Sequence, residues 1–297
     1  MNTPPGSLPD FDRLFDRPVI ILAAPRSGST LLFETLSQSP DVWTIGAESH
    51  HIIESLPALN PNAGKVTDNR LDARHARPRI VTMLRRRFAR FLRDRDGREF
   101  FHHRDRERLR FVEKTPKNAL RQPFLDSVFP GARYIFLFRD VRANLSSMIE
   151  AWRSGRWVTY PRLGGWDGPP WSLLLPPGWQ TTNGRPLEEI CAFQWAAANR
   201  TILADLSRIE KDRWISVSYE SLTGATQTTV ERLCEFAELE MDERFERHLG
   251  EPLPLSRMTQ TRPDQEKWRR NEALIQRVLP SLEDIEKELE PLGYRRV

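Results

Sequence analysis

Pro18-Val-Ile-Ile-Leu-Ala-Ala24 leads through Pro25-Arg-Ser-Gly-Ser29 into Thr30-Leu-Leu-Phe-Glu-Thr-Leu-Ser37. The first seven residues are apolar and β-branched, which suits a short strand buried on both faces. Leu32 and Leu36 then stand one turn apart, the mark of a helix against a core. Strand, glycine-containing loop and helix together make an anion site by geometry alone. Unpaired N–H groups converge at the helix start, where the dipole is positive. Gly28 permits positive φ and a close approach to the backbone. Ser27, Ser29 and Thr30 add hydroxyls, and Arg26 adds a permanent fork-shaped charge. A Walker A loop needs a second glycine and a lysine that are missing here. The stretch does not fit the G-x-S-x-G elbow either.

Further strand and helix signals repeat along the chain. Phe111–Lys114 and Trp214–Ser218 read as short strands, and Arg133–Phe138 as a buried one. Val141, Leu145, Met148, Ile149 and Trp152 mark the helix after the third of these; Val230, Leu233, Cys234 and Ala237 mark another. The expected fold is α/β, a three-layer P-loop-like architecture with a mostly parallel central sheet flanked by helices. Arg139 directly follows a strand, and Ser147 lies eight positions on, off the apolar stripe. Strand-terminal residues of parallel sheets face the ligand crevice, so this pair suits a second phosphate.

Residues 1–17 read as a flexible tail, polar and proline-rich at its start. Residues 18–297 read as a single domain with a Trp/Gly/Pro-rich insertion at about 152–186, which holds five of the nine tryptophans. So long a loop suggests a lid, with Trp166 and Trp171 among glycines and prolines as its movable part and Trp152 packed on the core. Residues 68–110 are arginine-rich; Met83, Leu84, Phe88, Phe91 and Leu92 recur there at helical spacing, giving a basic amphipathic helix.

Composition narrows the function classes. The 297 residues are 39% hydrophobic and 29% charged, enough for a sizeable core. Lys+Arg number 45 against 41 Asp+Glu, a net +4 that admits an anionic ligand without demanding a polyanion. Cys191 and Cys234 sit in helical apolar patterns and read as core; they and the six histidines lack metal-ligand spacing, so no metal is expected. No apolar run reaches membrane-span length and no signal peptide opens the chain, so a cytoplasmic protein is expected.

Together, Pro25-Arg-Ser-Gly-Ser-Thr-Leu-Leu32 and Arg139-Asp-Val-Arg-Ala-Asn-Leu-Ser-Ser147 resemble the 5′-phosphosulfate loop and 3′-phosphate motif of the sulfotransferase family. Ser218-Tyr-Glu-Ser-Leu222 is similar to a segment whose tyrosine lies near the nucleotide. The branch that includes tyrosylprotein sulfotransferases and bacterial small-molecule sulfotransferases is the nearest in flavour. The resemblance implies transfer of a sulfuryl group from 3′-phosphoadenosine 5′-phosphosulfate (PAPS) to a hydroxyl or amine, with adenosine 3′,5′-bisphosphate (PAP) as product. It implies catalytic roles for Glu48 as base and for Lys114, of Lys114-Thr-Pro116, and Arg26 in stabilising the leaving phosphate. It assigns Arg26, Ser27, Gly28, Ser29, Thr30, Arg139, Ser147, Tyr219, Lys267 and Trp268 to the nucleotide, the last two as a late pair closing over it. A small-molecule or carbohydrate acceptor is expected, with no nucleic acid partner and with a homo-oligomer left open. His50 and His51, beside Glu48, are rival proton carriers but a poor metal pair, since adjacent side chains diverge. Two alternatives remain: a P-loop-type kinase, disfavoured by the missing lysine, and an RNA- or polyanion-binding protein using Arg85–Arg110, whose basic field Asp94, Asp96, Glu99, Asp105 and Glu107 dilute.

Overall fold

The computed structural model describes residues 10–64, 66–102, 107–259 and 265–296. Its central strand β1 (Val19–Ala23) is buried along its whole length, because parallel partners flank it on both sides. With β2 (Val42–Trp43), β3 (Arg110–Lys114), β4 (Arg133–Phe138) and β7 (Trp214–Ser218) it forms a parallel five-stranded sheet in the order β2-β3-β1-β4-β7. A separate hairpin pairs β5 (Val158–Tyr160) with β6 (Trp171–Ser172).

Alternation along the strands divides the core into two layers. Val19, Ile21 and Ala23 face the side covered by α1 (Ser29–Leu36), α8 (Thr226–Ala237) and α9 (Glu243–Gly250). Ile20 and Leu22 face the larger side. There α3 (Pro78–Phe91), α4 (Gln122–Val128), α5 (Val141–Arg153) and α6 (Leu187–Leu206) pack, joined near the C-terminus by α10 (Glu272–Val278) and α11 (Glu283–Leu289). The remaining helices are α2 (His50–Ile53) and α7 (Tyr219–Gly224). The expected three-layer α/β architecture is the observed one. The strands read at 133–138 and 214–218 stand at those bounds, whereas two-residue β2 is too short to show a period.

Three readings change. The packed body begins before residue 18: Phe11 and Leu14 are buried, and Leu109 N–H donates to the Leu14 carbonyl at 2.9 Å. Residues 1–9 of the expected tail lie outside the described residues. In the tryptophan-rich insertion Trp171, expected as part of the movable portion, is packed against its neighbours. Trp171 is fully buried, its indole N–H donates to the Leu174 carbonyl at 2.9 Å, and Trp152, Trp166 and Trp179 meet it edge-on at 4.8–5.8 Å. The large rings, with Leu174 and Leu175, extend the larger core layer, because glycines and prolines offer little area to bury. Among the arginines, Arg85 is buried in a hydrogen bond to the Val128 carbonyl (2.7 Å) and an ion pair with Asp12 (2.6 Å). Arg110 likewise bonds the carbonyls of Asp16 and Ala237. These guanidinium groups clamp backbone instead of presenting a uniform basic face. Among the described residues no helix is long and apolar enough to cross a membrane.

Because Leu14 has no exposed surface, Leu14→Ala should cost about 2–5 kcal/mol in urea unfolding. A loss under about 0.5 kcal/mol, the usual limit for surface positions, would return residues 10–17 to the tail.

Candidate active site

Three β-to-α junctions meet at one cavity of about 750 Å³ at the carboxyl end of the sheet. The loop after β1 supplies Arg26, Gly28, Ser29 and Thr30; the junction after β4 supplies Arg139 and Ser147; the start of α7 supplies Tyr219. A 3₁₀ segment, Gln265–Asn271, packs on α5 and brings in Lys267 and Trp268. Its Asn271 side-chain amide donates to Ser146 Oγ at 3.0 Å.

The first loop is bent sharply. Arg26 has φ 67° and Gly28 φ 92°, both left-handed. A Cβ built at Gly28 would lie 2.3 Å from the Tyr219 ring, so glycine is required for both space and dihedral. Arg26 Nε donates to Ser147 Oγ at 3.3 Å, Arg26 Nη2 to the Met258 carbonyl at 3.1 Å, and its guanidinium lies 4.5 Å from the Trp157 ring centre. Arg139 covers the Tyr219 ring at 4.4 Å and donates to the Arg26 carbonyl at 3.4 Å. The two junctions thus face each other across one cavity.

Asn144, fully buried on α5, ties them together. Its Nδ2 donates to the Pro25 carbonyl at 2.7 Å, and its Oδ1 accepts from Ser27 Oγ at 2.9 Å. Ser27 is therefore turned inward, also reaching the Ala24 carbonyl at 2.9 Å, and its hydroxyl is spent on the loop instead of the cavity. Sequence reading had treated that hydroxyl as a ligand donor and passed over Asn144. The available signal was a polar residue within the helix's apolar stripe, between Val141 and Leu145.

Cations crowd the side of the cavity where Arg26 and Arg139 meet. The Arg26 pKa is pushed down by burial and then by Arg139. That of Lys267 is lowered by burial, Arg270, Arg139 and Arg26. Arg142 stacks on Trp268 at 4.6 Å, and among the described residues the buried Nε atoms of Arg139 and Arg142 have no hydrogen-bond partner. Arg142, Trp157 and Arg270 also line the cavity and escaped the sequence reading. A multiply charged anion would relieve this repulsion and satisfy the orphaned donors.

Glu48 enters from the other side. Lys114 Nζ, almost fully buried, donates to Glu48 Oε1 at 2.7 Å, and His50 Nδ1 stands 3.5 Å from Oε2. Burial raises the carboxyl pKa, but His50 and the charge and hydrogen bond of Lys114 outweigh it and hold it at about 2. Lys114 itself is not on the cavity wall; its ammonium serves Glu48. His51 turns away, edge-on to Phe91 at 5.8 Å. Beyond Glu48 the wall includes Pro116, Leu173, Leu174 and Trp157. Lys117, also on the wall, is tied to Glu54 at 2.8 Å and Tyr160 Oη at 2.9 Å, and burial lowers its pKa to about 8. Both cysteines are buried, and burial raises both thiol pKa values. Among the described residues no group of three or more His, Cys, Asp or Glu converges as a metal set.

Comparisons with known proteins show the family. The model of the Sulfotransferase family matches residues 18–243. Protein-tyrosine sulfotransferase A of Caenorhabditis elegans is 23% identical over 280 residues, covering 93% of this chain. The chain spans only 64% of that relative's length. Among solved structures, sulfotransferase STF9 from Mycobacterium avium is 18% identical with TM-score 0.49, covering 92% of this chain and 78% of its own. The sulfotransferase domain from the curacin biosynthetic pathway is 18% identical with TM-score 0.47, covering 88% of this chain and 98% of its own.

Asn144→Ala leaves the Pro25 carbonyl short of its partner while Ser27 keeps the Ala24 carbonyl, so urea unfolding should lose about 1–3 kcal/mol. The Glu48 carboxylate has its pKa depressed from 4.5 to about 2, so it contributes stability above pH 4.5 that is lost as pH falls toward 2. Lys114→Met removes the partner; stability near pH 7 should drop by about 3 kcal/mol, with a weaker acid dependence in urea titrations below about pH 5. An unchanged acid dependence would detach Lys114 from Glu48.

Proposed function

The chain belongs to the sulfotransferase family, and from that premise we propose that it transfers a sulfuryl group from PAPS to the hydroxyl of a small acceptor with an apolar body. The carrying observation is the convergence of Arg26 and Arg139 on one cavity, bridged by Arg26–Ser147 and Arg139–Arg26 hydrogen bonds. A nucleotide charged at both its 3′ and 5′ positions matches two arginine-bearing junctions facing one another. ATP, charged at one end only, leaves the Arg139 junction without a phosphate.

In this reading the helix start at Gly28–Thr30 and Arg26 hold the 5′ end, and Arg139 with Ser147 holds the 3′-phosphate. Tyr219 backs the Arg139 guanidinium, and Trp268 offers an aromatic face, as the late Lys267–Trp268 pair requires. Sulfuryl transfer spreads charge over equatorial oxygens with attacking and leaving oxygens in line, so positioning and fixed charge dominate. The sulfur–acceptor oxygen bond forms as the bond from sulfur to the bridging phosphate oxygen breaks; the electron pair stays on that phosphate. Arg26 and the N–H groups beside Gly28 receive the growing charge. Glu48 takes the acceptor proton and releases it to water after turnover.

Lys114 keeps Glu48 ionised at neutral pH, which makes the carboxylate available but weakly basic. The buried ammonium stays behind Glu48, so the leaving phosphate is met by Arg26 and the loop amides, and not by Lys114. An apolar acceptor suits Pro116, Leu173 and Leu174, and the Lys117 ammonium is already engaged by Glu54 and Tyr160. A polyol would find few open partners there, so we favour a phenol or aliphatic alcohol over a carbohydrate.

Calorimetry of the whole chain with PAP, AMP and ATP tests the donor. PAP should bind at least ~10-fold tighter than either, about 1.4 kcal/mol. Arg139→Ala should erase most of that preference while leaving AMP affinity nearly unchanged. Equal weakening of PAP and AMP would remove Arg139 from the 3′-phosphate and the donor assignment with it.

A further inference from the structure

Behind Glu48 lies a polar cluster that the reaction above does not use. Glu113, Thr115, Ser49 and Asn118 are each at most 1% exposed. They form a chain of hydrogen bonds: Asn118 Nδ2 donates to Glu113 Oε2 at 2.6 Å, and Thr115 Oγ1 donates to Glu113 Oε1 at 2.7 Å. The Ser49 backbone N–H donates to Thr115 Oγ1 at 2.7 Å, and Ser49 Oγ lies 3.1 Å from the same oxygen. Burying so many polar groups costs folding energy unless each is satisfied, so the cluster needs a reason to exist.

Proton count supplies its direction. Thr115 carries one hydroxyl proton, and it is committed to Glu113. Toward Ser49, therefore, Thr115 only accepts: it takes the backbone N–H, while the single Ser49 hydroxyl proton lies between Thr115 and Glu113. Ser49 adjoins Glu48 in the chain. Glu113 and Lys114 adjoin each other at the end of β3, where successive side chains leave on opposite faces of the sheet. One strand end thus grips the Glu48–Ser49 dipeptide twice, Lys114 at the carboxylate and Glu113 through Thr115 at the neighbouring backbone. Burial raises the Glu113 pKa, while the bonds from Ser49 and Thr115 and the charge of Lys114 pull it back.

We propose that Glu113 is a positioning residue for Glu48, acting through Thr115 and the Ser49 amide to hold the carboxylate against Lys114; its catalytic meaning rests on the function proposed above. The charged and titratable groups facing Glu48 are Lys114, His50, Arg26 and Lys117. If Ser49 loses its acceptor, the Glu48 carboxylate drifts from Lys114 and becomes easier to protonate. Thr115→Val keeps the shape and removes the acceptor. Glu113→Gln neutralises the group and leaves one oxygen for the two donors Thr115 and Asn118, so the Thr115 hydroxyl loses its fixed direction.

The test follows the Glu48 carboxyl by carbon-13 NMR in the whole chain during acid titration, with no acceptor needed. Wild-type Glu48 should stay ionised down to about pH 4, whereas in Thr115→Val and Glu113→Gln it should titrate near the ordinary glutamate value of about 4.3. Thr115→Ser should restore the wild-type curve, and PAP affinity in all variants should stay within about twofold. Wild-type titration of Glu48 in both Thr115→Val and Glu113→Gln would overturn the inference. So would a Thr115→Ser curve indistinguishable from Thr115→Val. Absence of PAP binding by the wild type would sink the sulfotransferase reading alone, because the titration reads Glu48 directly.

Discussion

The buried amide of Asn144 is the contact on which the site's geometry depends. It bonds the Pro25 carbonyl and the Ser27 hydroxyl from α5, joining the loop after β1 to the helix after β4. Those two junctions belong to adjacent parallel strands, β1 and β4. Adjacent strands leave their carboxyl ends side by side, but nothing in sheet pairing sets the conformation of the loops that follow. A loop with left-handed backbone at Arg26 and Gly28 is strained for its arginine and needs outside support. Asn144 provides it with one donor and one acceptor through a single planar amide.

Charge in the cavity is arranged in two zones. On the side of the two arginine-bearing junctions, burial and neighbouring cations lower the pKa values of Arg26 and Lys267, and Glu48 and Glu150 offset only part of that. On the opposite side every charge has a close partner: Glu48 with Lys114, and Lys117 with Glu54. Arg121, fully buried, adds a second cation to Glu54 at 2.6 Å. The two sides of the cavity thus differ in how closely their charges are matched.

The tryptophan-rich segment shows how composition misleads without packing. Glycines and prolines between 164 and 178 exclude regular helices, and that much the sequence makes plain. Whether the intervening rings face outward over a ligand or inward over one another depends on which surface they can bury. Trp166, Trp171 and Trp179 found each other and Trp152, while Trp157 alone turned to the cavity to meet Arg26. The insertion therefore builds a wall on an extension of the larger core layer.

Local pattern alone determined the layers and the location of the anion site. Val19–Ala23 and Arg133–Phe138 are apolar enough to demand two-sided burial, and the Gly28 loop and Arg139 sit directly at strand ends, where the period stops. Glu48 and Lys114 were legible only through family likeness, since a lone glutamate and a lysine 66 positions apart share no periodicity. Tertiary structure decided their pairing, the inward turn of Ser27, the Asn144 bridge and the cluster behind Ser49. Each depends on residues distant in the chain meeting in a dry interior, where an unpaired polar atom is costly; that cost is absent from any one segment and appears only when the segments pack.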